Sequence, residues 1–164
     1  MIYDAFYKSP LGLMILESDG TALTELNFAG QKWYVPKPDA RRKPELLVFK
    51  TAMHWLDVYF SGAIPDFEVP LSLSGTPFQI EVWNILLTIP HGKTTTYKEI
   101  AEKIAFRRGI KRMSAQAVGG AVGHNPISII VPCHRVIGAD GSLTGYASGL
   151  DKKEFLLRLE KILY

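Results

Sequence analysis

The chain has 164 residues, 47% of them hydrophobic, with 19 Lys and Arg against 16 Asp and Glu and a formal charge of +3; that is enough apolar material for a buried core and excludes a disordered tail. No stretch approaches the roughly 18–20 uninterrupted apolar residues of a membrane span, and the N-terminus, with Asp4, lacks the basic and apolar regions of a secretion signal, so a cytoplasmic protein without membrane contact is expected. One cysteine, Cys133, excludes an intramolecular disulfide and a zinc site built from several thiolates, leaving a small core residue or a nucleophile.

Charge is unevenly divided: residues 1–70 carry a net −2 and residues 71–164 a net +5. The second half is therefore the one expected to meet a polyanion, although its densest cluster, Arg107, Arg108, Lys111 and Arg112, reads equally as a solvated loop.

Residues 2–28 alternate apolar and polar positions between the turn signals Ser9-Pro10, Asp19-Gly20 and Ala29-Gly30, which predicts a meander of antiparallel strands. After a proline- and charge-rich stretch, residues 45–60 place Phe49, Met53, Leu56 and Phe60 on one helical face, predicting a helix that covers the sheet. Residues 69–75, with Pro70, Ser72, Ser74 and Gly75, read as a linker, so the chain divides into a sheet-plus-helix domain, 1–70, and a second domain, 76–164.

The second domain reads as mostly helical. Thr76, Pro77 and Gln79 combine an N-cap, a first-turn proline and a capping-box glutamine, opening a helix with Phe78, Val82, Ile85, Leu86 and Ile89. Thr96 and Glu99 repeat the capping pattern and open a short helix over residues 97–104, followed by the basic loop and a helix over 114–123. Two short helices across a basic turn outline a helix-turn-helix, so the fold class is α/β of the segregated α+β kind, with a winged-helix-like second domain. On the later helix Gln116, Gly119, Gly120 and Gly123 share one face and Ala115, Val118 and Val122 another. A glycine face fits either close packing on another helix or close approach of backbone to a nucleic acid.

Residues 127–131 form an apolar, β-branched run that predicts a short buried strand leading into Pro132-Cys133-His134-Arg135-Val136. A lone cysteine there fits the core, but the adjacent His134 and Arg135 would favour a thiolate and lower its pKa from about 8.5. From a predicted N-cap at Asp151, a last helix carries an apolar stripe of Phe155, Leu156, Leu159 and Leu163. Glu160 falls about 40° from Leu156, inside that stripe, at about 100° per residue. A carboxylate there needs a partner, and His134 and Arg135 are both candidates. Orienting His134 would complete a relay in which the imidazole draws the proton from Cys133.

These motifs together resemble one family. Pro132-Cys133-His134-Arg135-Val136, preceded by Ala117-Val118-Gly119-Gly120-Ala121 and Asn125-Pro126 and followed by Gly145-Tyr146 and Gly149-Leu150, is similar to the O6-alkylguanine-DNA alkyltransferases. The resemblance spans residues 76–160; before that it extends only to the outline of a small sheet with a helix. It implies a DNA repair protein whose partner is double-stranded DNA containing alkylated guanine, expected to act as a monomer without cofactor or metal. A helix-turn-helix would enter the minor groove, the damaged guanine would be flipped out, and the thiolate would take the alkyl group once and irreversibly. O4-alkylthymine would be a further substrate.

Carried over by position, Cys133 is the acceptor, His134 its water-mediated base, Glu160 the group orienting His134, Asn125 the brace of the adjoining turn, and Tyr97 the assistant to the leaving guanine. Val136, Tyr146, Ala147 and Arg135 would line the base pocket. Ala115, Gln116, Gly119 and Gly120 would meet DNA together with Arg107, Arg108, Lys111 and Arg112. Gln116 stands where many members carry an intercalating arginine. Competing readings are a non-transferring sensor of alkylguanine, a cysteine hydrolase using Cys133 and His134, and a plain DNA-binding regulator.

Overall fold

The computed structural model describes residues 1–163; Tyr164, the end of the expected second domain, lies outside the described residues. The chain forms two compact units, one of residues 1–74 with 126–128, the other of residues 75–125 with 129–164. The architecture is α+β, a small mixed sheet with five helices. Among the described residues no helix is long and apolar enough to cross a membrane.

In the first unit β1 (Tyr3–Ser9), β2 (Gly12–Ser18) and β3 (Leu23–Phe28) form the predicted antiparallel meander. The sheet is nevertheless mixed, because β4 (Arg41–Arg42), inside the proline-rich stretch, pairs in parallel with β1. Period-two alternation cannot announce so short a strand, which backbone pairing alone defines. Helix α1 (Leu47–Phe60) packs on β1, β2 and β3 through Val48, Phe49, Ala52, Leu56 and Tyr59. The buried face is rotated from the predicted one, so Met53 and Phe60 flank it half-exposed. Residues 69–75 are not a free linker, since Leu23 N donates to Pro70 O and Ser72 N to Leu23 O.

In the second unit α2 (Pro77–Leu86) opens on a complete capping box between Thr76 and Gln79. Trp83, absent from the predicted core, is buried and donates its indole N–H to Ala121 O at 2.8 Å. A Cβ on Gly75 would lie 2.6 Å from that ring, so only glycine fits beside it. Strand β5 (Thr95–Thr96) precedes α3 (Tyr97–Arg108). Thr96 caps the helix through Glu99 N, but the Glu99 carboxylate accepts from Thr95 Oγ1, so the expected second half of that box is replaced. The helix also outruns its predicted end: Arg107 and Arg108 sit in its last turn, where cations suit the negative pole, and Gly109 ends it at φ +65°.

Helix α4 (Ala115–Gly123), capped by Ser114, packs on α2 and α3 through Val118, Ala121 and Val122. The predicted strand over 127–131 is corrected. Ile127 alone bridges to Leu26 of β3, and Ile129 turns the backbone at φ +70°. The run is apolar because Ile127, Ile129 and Val131 are buried, not because the chain is extended there. A 3₁₀ turn, Cys133–Arg135, leads into β6 (Val136–Ile137), which pairs in parallel with β5. Helix α5 (Leu150–Leu159) is capped at Gly149, placing Asp151 in its first turn rather than at the N-cap. Its buried side is Lys153, Leu156 and Leu157, continued by Glu160, while Phe155 is 37% exposed; that stripe is centred closer to Leu156 and Leu157 than the predicted one.

Candidate active site

The second unit gathers a chain of buried polar side chains at the Cys133–Arg135 turn: Asn125, Cys133, His134, Arg135, Lys153 and Glu160. The turn is fixed from both sides. Cys133 N donates to Val131 O at 2.8 Å, and Asn125 Nδ2 donates to the same carbonyl at 2.7 Å. Asn125 therefore closes the bend that Ile129 begins.

Behind the cysteine, both partners proposed for Glu160 are present at once. Glu160 Oε2 accepts from His134 Nε2 at 2.6 Å and from Arg135 Nη2 at 3.2 Å, while Oε1 accepts from Arg135 Nε at 2.8 Å and from Gly92 N at 3.0 Å. Arg135 Nη1 donates to Ile89 O at 2.7 Å. The Arg135 guanidinium is thus engaged by the Glu160 carboxylate and the Ile89 carbonyl. A carboxylate accepting at Nε2 selects the tautomer with its proton there and leaves Nδ1 to take one up. Burial lowers the His134 pKa against the pull of Glu160, which favours the neutral ring.

The expected acidification of Cys133 by His134 and Arg135 is not what the resting site shows. Burial pushes the thiol up, and the groups that oppose it are the Asn125 side chain, the Lys153 ammonium and the backbone N–H groups of the turn. Lys153 had no place in the sequence reading. Its signal was the 153, 156, 157, 160 spacing, one helical stripe with an ion at each end, which the choice of Phe155 as a stripe member concealed.

Tyr97 opens α3 and donates its hydroxyl to Thr144 O at 2.9 Å; burial raises its pKa, and the charge of Cys133 adds to the rise. Burial raises the pKa of Tyr146, the charge of Cys133 adds to the rise, and the Ser148 side chain opposes it. Val136 is fully buried and Ala147 half-buried. Tyr97 faces a groove of about 490 Å³ shared with Ala115, Gln116, Gly119, Thr144 and Gly145. Gln116 and Gly120 are exposed, and a Cβ at Gly120 or Gly123 would meet nothing within 4 Å, so packing inside the unit does not require those glycines. At Gly119 a Cβ would only touch the Tyr97 ring at 3.7 Å.

Of the basic cluster, Arg108 pairs with Glu81 at 3.0 Å, while Lys111 and Arg112 are exposed in the turn between α3 and α4 beside a cavity of about 920 Å³. Among the described residues no three His, Cys, Asp or Glu side chains are grouped to hold a metal.

This arrangement has known counterparts. Residues 77–162 match the family profile of the 6-O-methylguanine DNA methyltransferase DNA binding domain, and residues 2–73 that of the 6-O-methylguanine DNA methyltransferase ribonuclease-like domain. The chain belongs to the 6-O-methylguanine DNA methyltransferase family. The methylated-DNA–protein-cysteine methyltransferase of Methanosarcina acetivorans is 48% identical over 97% of this chain and 98% of its own length. That of Haemophilus influenzae is 42% identical over 99% and 88%. The crystal structure of Mycobacterium tuberculosis OGT in complex with DNA superposes with a TM-score of 0.85 at 45% identity, covering 97% of this chain and 92% of that one. In this methyltransferase the DNA-binding profile spans α2 through α5, and with them both the buried polar cluster and the open side of α4. Membership in a transferase family sets aside the hydrolase and the plain DNA-binding regulator.

Proposed function

We propose that this methyltransferase repairs O6-alkylguanine in duplex DNA by moving the alkyl group to Cys133, once per molecule, with the damaged base flipped out of the helix. The observation that carries the reading is that the chain's one cysteine is buried at a turn backed by His134, Glu160 and Arg135. Relatives named for a protein-cysteine acceptor leave a one-cysteine chain a single place for the product.

The proton of Cys133 passes to His134 Nδ1, directly or through one water, while Glu160 holds Nε2. The thiolate then attacks the alkyl carbon: the sulfur–carbon bond forms as the carbon–O6 bond breaks, and the electron pair stays on the guanine, which takes up a proton at N1. Tyr97, whose one hydroxyl proton is held by Thr144 O in the free protein, turns from that carbonyl to donate toward the departing base. The thioether has no leaving route, so the reaction ends there, and O4-alkylthymine offers the same chemistry.

Helices α3 and α4 act as the helix-turn-helix, with β5 and β6 as a minimal wing. The open glycine side of α4 lets backbone approach the minor groove, Gln116 fills the space of the extruded base, and Lys111 and Arg112 meet phosphates. Flipping costs a few kcal/mol, less for a poorly paired lesion. The test is a titration of protein with excess duplex carrying O6-methylguanine: repaired lesions should stop at one per protein molecule, and continued repair beyond that ratio would sink the single-use mechanism.

A further inference from the structure

Helix α3 carries Lys98, Glu102 and Phe106 on one face, each one turn after the last. That face walls the cavity of about 920 Å³ that Ile110, Lys111, Arg112 and Met113 close from the turn before α4. Phe106 is 88% exposed and Ile110 45% exposed. Single apolar residues on a surface are ordinary, but these two share one concave site with Met113.

The turn that presents them is fixed. Gly109, at φ +65°, donates its N–H to Phe106 O at 3.2 Å and Ile110 N donates to Ala105 O at 3.0 Å, the paired bonds of a helix end closed by a left-handed glycine. Arg108 is drawn toward α2, where it meets Glu81 at 3.0 Å and lies 5.7 Å from the centre of the Phe78 ring. Ser114 caps α4 through Ala117 N at 3.1 Å.

Charge and continuity choose the occupant. Lys98, Lys111 and Arg112 face the cavity against one carboxylate, Glu102, so the rim suits a polyanion. Lys98 and Ala115 line both this cavity and the groove of Tyr97 and Gln116, so the site continues a face that lies within the DNA-binding profile. A basic rim alone fits the phosphates of any DNA. An exposed aromatic ring among basic side chains offers more, a platform for a base that is free of its own stack.

We propose that the groove between α3 and α4 binds unpaired DNA: one base stacks on Phe106 beside Ile110 and Met113, while Lys98, Lys111 and Arg112 hold the flanking phosphates. Lesions in a gap or beside a strand end are then held more firmly than lesions in uninterrupted duplex. The proposal rests on the reading that α3 and α4 face DNA, and adds the strand state that this face selects.

The experiment is fluorescence anisotropy at fixed salt with a labelled polythymidine strand, which does not pair with itself, against a fully paired duplex. Phe106→Ala should weaken polythymidine binding about tenfold, the scale of one lost stacking partner, and duplex binding much less. Phe106→Trp should restore the affinity, and the salt dependence should be the same in all three proteins because the lost contact is not ionic. The exposure of Phe106 leaves the core of the alanine variant intact, and alanine favours the helix. Duplex binding without polythymidine binding, no loss in Phe106→Ala, or an equal loss on the two DNAs would overturn the proposal alone. Binding to neither DNA would take the DNA-facing reading with it. An unsubstituted protein that sediments as a dimer without DNA, and as a monomer in Phe106→Ala, would also overturn it, since the groove would then seat a second copy. Polythymidine carries no lesion, so its binding stands apart from whether Cys133 accepts a methyl group.

Discussion

Glu160 Oε2 lies 2.6 Å from His134 Nε2 with both side chains fully buried, and the same carboxylate lies 2.8 Å from Arg135 Nε. Glu160→Gln removes the charge that pairs with Arg135 and accepts from His134 Nε2. Because Arg135 would be left buried without a counter-ion, the variant should lose about 3–5 kcal/mol of stability, read from urea unfolding. Where it remains folded, transfer should slow about 100-fold, the scale of a lost base. A stable variant with undiminished transfer would show that Glu160 neither holds Arg135 nor orients His134.

His134 makes stability depend on pH with a definite sign. Its folded pKa lies below the ordinary 6.5 because burial penalises the imidazolium. The unfolded chain therefore binds the proton more readily, the stabilisation is complete above about pH 6.5, and it is lost progressively as pH falls below that value. His91 is lowered for the same reason. Urea midpoints measured from pH 8 to 5 should fall on the acid side, with a shallower slope in His134→Gln than in His91→Gln. Equal slopes in the two variants would deny His134 the larger part.

Asn125 ties the turn to the thiol. Asn125→Ala leaves Val131 O without its side-chain donor and should cost about 1–3 kcal/mol. Since the Asn125 amide also pulls the Cys133 pKa down, thiol alkylation should need a higher pH in the variant. A shift in stability with no shift in the alkylation profile would make Asn125 a brace and nothing more.

Gln116 sits exposed on the open side of α4, at the groove that Tyr97 lines. If it fills the gap left by the flipped base, Gln116→Ala should slow repair in duplex DNA about tenfold or more while leaving transfer from free O6-benzylguanine nearly unchanged. Gln116→Arg should strengthen duplex binding and steepen its salt dependence by about one phosphate equivalent at most. The ratio of duplex to free-base rates is the quantity to compare. The same ratio in all three proteins would remove Gln116 from the flipping step.

Much of this was legible in the sequence because local rules and tertiary context agreed. Thr76 and Gln79 announced α2, Thr96 announced α3, and Glu160 betrayed itself as a carboxylate on an apolar stripe. What stayed hidden depends on partners distant in the chain. The 127–131 run has the composition of a strand, but Ile127 pairs with β3 while Ile129 reverses the backbone, and composition does not encode that division. Lys153 was passed over because the carbonyls that receive it belong to residues 136, 144 and 145. Arg135 sat next to the nucleophile in sequence, yet its fork turns to Glu160, 25 residues away.

The most direct measurement is the intact mass of the protein after incubation with one equivalent of duplex DNA carrying O6-methylguanine, followed by peptide mapping. One methyl group per molecule, carried on Cys133 and absent in Cys133→Ser, is the predicted result. An unmodified protein, or a methyl group on any other residue, would contradict it.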